Sequence, residues 1–304
     1  MFRTTQNIFW KFLLPGVFAF LFICFLLRLK EDVFPGKKYA GKPAQLKEDE
    51  FDPSLLRLDD MAKLEIFCDS LYESQKATRT YPGIVSEVIR KKFYHGYSYY
   101  NAFTNPTALF ASSAIAPYMA AIVIPDDIVK YPYAACSQQS LVGMELFKRK
   151  GYPVRKIAMF DTLTQYGHFA YEVFYDNKWH YYDTNLEPDV AVLKRYDRPS
   201  VSFLKSHPEI IAMAYRDRDT AFLQRLLLSG EPGPVNINPA PTATLFQSYS
   251  MYMNYFGWLL PGILLLARYW IIRRRISFSV IRRLARYAIP AVETRRESPQ
   301  EARA

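Results

Sequence analysis

The hydrophobic positions of this chain change their period several times. From Ile8 to Leu29 they are nearly continuous, broken only by Lys11 and Arg28. About 20 residues at 1.5 Å each cross the hydrocarbon of a bilayer, and basic side chains near the ends reach the interface. The stretch therefore predicts a membrane span. Leu27-Arg28-Leu29-Lys30 follows in place of a small-x-small site, which argues against a cleaved signal peptide. Met251 to Ile272 predicts a second span, Pro261 being tolerable in a membrane helix. A third apolar stretch, Thr107 to Ile124, carries Pro117, several Ser and Ala, and no basic flank at its start. It reads as buried protein.

Between the spans the pattern is that of a folded domain. Asp52-Pro53 is an N-cap with proline at the first helical position. Leu55, Leu58, Met61, Leu64, Cys68 and Leu71 then mark one helix face through about Ser74. Pro82 opens a second helix. Phe93 to Phe103 holds six aromatic residues, read as core packing, and 126 to 135 is loop-like. Ser137 to Lys150 has helical spacing at Leu141, Met144, Leu146 and Phe147, a basic last turn, and Gly151 as cap. His168 to Tyr175 and Trp179 to Asp183 alternate as strands around an Asp176-Asn177 turn. A two-residue loop makes paired positions sum to 353, so Asp183 faces Ala170 and lies diagonal to His168 on one sheet face. A three-residue loop would separate them onto opposite faces. Helical patterns recur near 203–215 and 220–228, and four prolines within 231–242 mark a linker. The expected class is α+β, with helices packed on a small antiparallel sheet.

Charge refines this picture. The formal net charge is +10, but Arg268 to Ala304 alone carries ten Arg against three Glu. The excess is thus a tail property, and nucleic acid is not an expected partner. No Lys or Arg occurs between Arg225 and Arg268, whereas Arg273, Arg274 and Arg275 follow the second run. The positive-inside rule then puts both termini in the cytoplasm. The expected division is 1–30 (N-terminus and first span), 31–230 (extracytoplasmic domain), 231–250 (linker), 251–272 (second span) and 273–304 (basic tail). Ile276, Val280, Ile281, Leu284 and Tyr287 form one stripe of that tail, an amphipathic face suited to anionic lipid. Three cysteines give no disulfide framework, no Cys or His pair has metal-ligand spacing, and no cofactor is expected.

The candidate chemistry is concentrated in 48 residues, where Cys136, His168 and Asp183 follow one another. A thiol becomes a strong nucleophile as thiolate, which requires an imidazole to take its proton and a third group to orient that imidazole. Cys136 would start a helix, where dipole and free amides favour the thiolate and can hold an oxyanion. The frame Cys136, Gly151-Tyr152-Pro153-Val154-Arg155, His168 with Glu172, then Trp179 and Asp183 resembles the transglutaminase-like superfamily, a papain-like cysteine fold. The resemblance covers about 55 of the 304 residues. It implies Cys136 as nucleophile, His168 as general base and acid, and Asp183 as orienting group, with Arg155, Glu172 and Trp179 supporting the site. Such enzymes often place a Gln or aromatic side chain just upstream of the Cys to complete the oxyanion hole. Here Tyr131 and Tyr133 are the candidates.

The expected function is a membrane-anchored cysteine hydrolase, a peptidase or amidase acting through a thioester on peptide or side-chain amides outside a bacterial inner membrane. The partners expected are that amide substrate and membrane lipid. The alternative is a transglutaminase-like binding or assembly module of the cell envelope in which the chemistry is lost.

Overall fold

A computed structural model describes residues 8–36, 50–216 and 220–288. Helix α1 spans Phe9–Val33, its first turn Phe9–Leu13 wound as π-helix. A 3-10 turn at Pro53–Arg57 precedes α2 (Met61–Gln75), α3 (Tyr81–Lys92), β1 (Tyr94–His95), α4 (Pro106–Ala114), a 3-10 turn at Pro117–Ala120, α5 (Pro125–Ile128) and β2 (Tyr133–Ala134). Then come α6 (Cys136–Arg149), β3 (Val154–Asp161), β4 (Tyr166–Tyr175), β5 (Lys178–Tyr182), α7 (Val190–Arg195), α8 (Val201–Ser206), α9 (Pro208–Ala214) and α10 (Thr220–Leu228). β6 (Glu231–Pro232), α11 (Pro241–Phe256) and α12 (Leu259–Ala288) close the order.

The fold is mixed α and β. Four strands form an antiparallel sheet in the order β5-β4-β3-β6, and β1 pairs with β2 in parallel. Two cores flank the larger sheet. Leu64, Ile84, Ile89, Phe147, Tyr171 and Val173 fill one, with α2, α3 and α6. Ile157, Ala170, Tyr181, Leu204, Ile211 and Leu226 fill the other, with α7 to α10. The alternation of Ala170 and Tyr171 between the cores is what a strand covered on both faces requires.

Several local expectations are met. Asp176 and Asn177 take φ of 48° and 61°, the left-handed pair that a two-residue hairpin turn demands. Tyr171 pairs with Tyr182 and Val173 with His180, the 353 register. Gly151 has φ 78°, and Tyr152 N bonds back to Phe147 O at 2.9 Å, closing α6 as a glycine cap does.

Others are corrected. The helix expected from Asp52 is interrupted, because the Asp60 side chain accepts from Lys63 N at 2.7 Å and restarts it as a second N-cap. The stripe survives the break, with Leu55, Leu58, Met61, Leu64 and Cys68 all buried. The aromatic run is divided: Phe93 and Tyr100 are buried, while Tyr97 and Tyr99 are half exposed. Part of the 126–135 loop is ordered as α5 and β2. The 231–242 segment is tied to the sheet edge, since Glu231 and Pro232 pair with Ala158 and Ile157 and Asn236 N donates to Val154 O at 2.7 Å.

Two helices, Phe9–Val33 and Pro241–Arg275, are long and apolar enough to cross a membrane. The second is broken at Gly257-Trp258, so its first half, α11, packs on the domain and buries Gln247, Ser250 and Asn254. α12 then runs antiparallel to α1. Trp258 stacks near Phe22 and Phe25 with ring centroids 5.5 and 5.4 Å away, Gly262 abuts Phe18, and the Arg268 guanidinium sits 5.0 Å over Trp10. The start of α1 and the far end of this pairing therefore share one side. The Thr107–Ile124 stretch is not wholly buried, for Phe110, Ile115 and Tyr118 are exposed. The amphipathic stripe from Ile276 to Tyr287 lies on helical backbone, but its side chains, and everything from residue 289, lie outside the described residues.

Candidate functional site

α6 begins at Cys136 with Ala135 as N-cap, which offers no side-chain acceptor to the first turn. By contrast α2, α3, α4, α7 and α8 start under Asp60, Thr80, Asn105, Asp189 and Ser200, whose side chains accept from first-turn amides. The first intrahelical donor of α6 is Gln139 N, to Ala135 O at 2.9 Å. The amides of Cys136, Ser137 and Gln138 thus have no acceptor within the helix and carry its positive end.

Gln138 holds this terminus in place. Its Oε1 accepts from Ser98 N at 2.8 Å and Ala135 N at 3.2 Å, and its Nε2 donates to Ser98 O at 2.9 Å and Ile122 O at 2.8 Å. α6 is laid along β4: Ser140 Oγ donates to Phe169 O at 3.2 Å, and a Cβ on Gly143 would lie 3.0 Å from the Tyr171 ring. That alignment sets the first turn of α6 at the level of His168.

His168 Nε2 and Asp183 Oδ2 are 2.7 Å apart, the diagonal contact that the 353 register implies. Tyr181 OH also donates to Oδ2 at 3.1 Å, and the amides of Leu186 and Asn185 donate to Oδ1 at 2.8 and 3.1 Å. Burial pushes the Asp183 carboxyl up, but the His168 charge and hydrogen bond, with those amides, hold it below the usual carboxylate value. Burial likewise depresses His168, yet the Asp183 charge and hydrogen bond, with a smaller contribution from the Cys136 side chain, raise the ring to about 10. His168 Nδ1 is buried and meets no hydrogen-bond partner, while the Cys136 side chain is near enough to add to the ring's raised value. Cys136 is 7% exposed and His168 and Asp183 are each 1% exposed.

The other candidates separate into two groups. Arg155 and Glu172 are direct cross-strand partners, joined at 2.7 Å through Nε, and the Arg155 guanidinium lies 4.1 Å over the Trp179 ring. Glu172 also accepts from Val201 N at 2.6 Å. It stands four residues along β4 from His168, about 13 Å at strand rise, so this cluster fixes strand register and docks α8 without reaching the thiol. Tyr131 is a correction. Its hydroxyl turns to Thr104 Oγ1 at 3.4 Å, in a cavity shared with Arg28, Asp32 and Asp127. The Tyr133 ring packs 6.1 Å from that of Tyr131. Both rings belong to the core beside the apolar helices, leaving the open amides of α6 as the donors nearest Cys136.

Residues flanking these groups open onto two cavities. One, of about 180 Å³, is lined by Tyr97, Ile122, Val123, Ser137, Leu141 and Phe169. The other, of about 430 Å³, is lined by Arg90, His95, Gln139, Thr184, Asn185 and Tyr215 among others. His95, which the sequence leaves without a role, is 2.5 Å from Asn185 Nδ2 through its Nδ1. Gln138 was also missed. Its only sequence signal is a polar residue two positions into an otherwise amphipathic helix. Cys68 is fully buried, and burial pushes its thiol up to about 12. Among the described residues no group of three His, Cys, Asp or Glu side chains could hold a metal ion.

The arrangement can hold an imidazolium against a buried carboxylate, and the first turn of α6 can offer amides to an oxygen that gains charge. Compared with family models, with curated proteins and with solved structures, the chain matches none.

Proposed function

We propose that this chain is a membrane-anchored, transglutaminase-like cysteine hydrolase that cleaves peptide or side-chain amides through Cys136, His168 and Asp183. The observation that carries the reading is the buried 2.7 Å contact of His168 Nε2 with Asp183, which leaves the opposite ring edge to a cysteine at an uncapped helix start. With the ring raised to about 10, the pair works as thiolate and imidazolium, and Cys136 Sγ attacks the amide carbonyl carbon. The oxyanion rests on the first amides of α6. The imidazolium protonates the leaving nitrogen, the C–N bond breaks, and a thioester remains. Water then attacks the thioester, the neutral His168 takes its proton, the C–S bond breaks to restore thiolate and imidazolium, and the carboxylic acid product leaves. Asp183 keeps the ring oriented throughout.

In this reading the domain faces outward from a bacterial-type inner membrane, with both termini in the cytoplasm, and meets its amide substrate near the lipid surface. One observation favours the second reading, a binding or assembly module: Tyr131, a candidate for the oxyanion hole, turns its hydroxyl to Thr104.

Iodoacetamide labelling of the full-length protein in membranes separates the two. The enzyme reading expects a single fast adduct at Cys136, at least about tenfold faster than at Cys68, whose thiol is buried and raised. It also expects that adduct to vanish in Cys136→Ala. Equal and slow labelling of both cysteines would leave the binding module.

A further inference from the structure

We infer that residues 106–120 form a re-entrant hairpin that enters the hydrocarbon from the outer side beside the two spans, its lipid-facing tip being Ile115. The inference rests on reading α1 and α12 as membrane-crossing.

A ladder of contacts joins this segment to α1. Thr104 O accepts from Arg28 Nη1 at 3.1 Å, the Thr107 side chain lies close to the Cys24 thiol, and the Phe110 ring lies 4.8 Å from that of Phe20. Each step forward along α4 is thus a step back along α1. The two helices run antiparallel at equal depth. Arg28, followed closely by Lys30, Glu31 and Asp32, marks the polar end of the span. From Arg28 to Phe20 the descent is about 12 Å, and five further residues bring Ile115 about 20 Å below Arg28. That is more than half of a hydrocarbon core of about 30 Å.

The segment is built for that environment. From Pro106 to Ile124 it contains no Asp, Glu, Lys, Arg or His. Ile115 and Tyr118 are each 76% exposed and Phe110 is 56% exposed, so among the described residues little covers the apolar tip. Backbone groups in hydrocarbon must be satisfied internally, and here the turn closes on itself. Ile115 N and Ala116 N both donate to Ala111 O, at 2.9 and 3.3 Å, Met119 N donates to Ala116 O at 3.0 Å, and Ala121 N to Tyr118 O at 3.0 Å. Ser112 Oγ covers Pro117 O at 2.6 Å. At nine residues α4 is too short to cross, and the chain returns to Ala120, which is buried. The occupant of this face is lipid acyl chain, because the exposed apolar surface continues that of the adjoining apolar helices.

The test uses full-length protein with Cys24, Cys68 and Cys136 replaced by Ala, reconstituted in phosphatidylcholine and phosphatidylglycerol vesicles. Single cysteines at Val17, Phe110, Ser113, Ile115 and Glu73 carry an NBD fluorophore. Doxyl-labelled lipid should quench the labels at 110, 113 and 115 to within about twofold of that at 17, with iodide quenching only the label at 73. Ser113 and Ile115 pack against little, so they remain informative where Phe110→Cys fails to fold. Iodide quenching at 113 and 115 with lipid quenching at 17 overturns the hairpin and leaves the spans standing. Protection of 113 and 115 from both quenchers means a second protein copy covers the tip, and overturns it too. Iodide quenching at 17 removes the membrane reading and the hairpin together.

Discussion

Replacing Gln138 by methionine isolates the brace under the proposed nucleophile. The side chain is 2% exposed and methionine matches its length, so little cavity is created. Three buried backbone groups lose their partner: Ser98 N, Ala135 N and Ile122 O. Ser98 O is spared, because it also accepts from Ile122 N at 3.1 Å. A stranded buried group costs about 1–3 kcal/mol, and local relaxation recovers part of it, so the expected loss is about 4 kcal/mol. At about 2–4 °C per kcal/mol for a domain of this size, the melting temperature falls by about 8–16 °C. Thermal unfolding in detergent, followed by near-UV circular dichroism, reads the loss. Iodoacetamide labelling well below the transition reads its second consequence, since the α6 terminus is no longer pinned to 98 and 122 and Cys136 loses its alignment with His168. A fall of under about 3 °C with unchanged labelling would refute the brace, and with it the claim that these hydrogen bonds position the thiol.

Three further outcomes follow from the same geometry. The His168 ring is raised to about 10 from a free value of about 6.5, so its stabilisation is complete below about pH 6.5 and is lost as pH climbs through about 10. Asp183 is lowered, so its share is present above about pH 3.9 and lost as pH falls through its depressed value. Melting temperature should therefore decline from pH 6.5 to 10 in the wild type and stay flat in His168→Gln, equal slopes counting against the pairing. Glu172→Gln removes the counter-charge of Arg155, whose side chain is 19% exposed, and should cost about 2 kcal/mol while Cys136 still labels. Lost labelling at unchanged stability would instead place Glu172 in the reacting centre. Gly151→Ala meets no atom within 4 Å but forces a side chain into φ 78°, an expected loss of about 1 kcal/mol read as a shift of a few degrees.

What could be read from sequence was what neighbouring residues decide. The α6 boundaries follow from spacing and from Gly151, and the β4–β5 register follows from two turn residues that tolerate positive φ. That register alone brings His168 to Asp183. Long-range choices were hidden. Nothing in Tyr131 tells whether its hydroxyl turns to Cys136 or to Thr104, because the direction is set by Thr104 and Arg28, which share its cavity but lie far away in sequence. The prolines of 231–242 read as linker, yet proline is admissible on an edge strand, and Pro232 pairs there with Ile157. The apolar run after Thr107 reads as core by composition, since burial in protein and immersion in lipid select the same residues. Only the exposure of Ile115 and Tyr118 separates the two.

The height of Cys136 above the membrane helices is fixed by a short relay of side-chain amides. Asn254 Nδ2 donates to Asn105 Oδ1 at 2.8 Å, and Asn105 Nδ2 to Ser250 Oγ at 2.8 Å, fastening α11 to the start of α4. One turn earlier in α11, Gln247 accepts from Val123 N at 3.0 Å and donates to Ala121 O at 2.6 Å. Between those two residues lies Ile122, whose carbonyl is the acceptor of Gln138 Nε2. The segment 121–123 is therefore gripped on one side by the helix that leads into α12 and on the other by the residue two positions after Cys136. Buried polar networks with every member satisfied rigidify what they join. A domain on such a mount does not swing on a linker. On the proposed membrane reading, its cleft would stay at one distance from the lipid surface. Cutting the chain before Pro241 would remove Gln247 and free one side of 121–123, so the domain and the apolar helix that follows it are one structural unit.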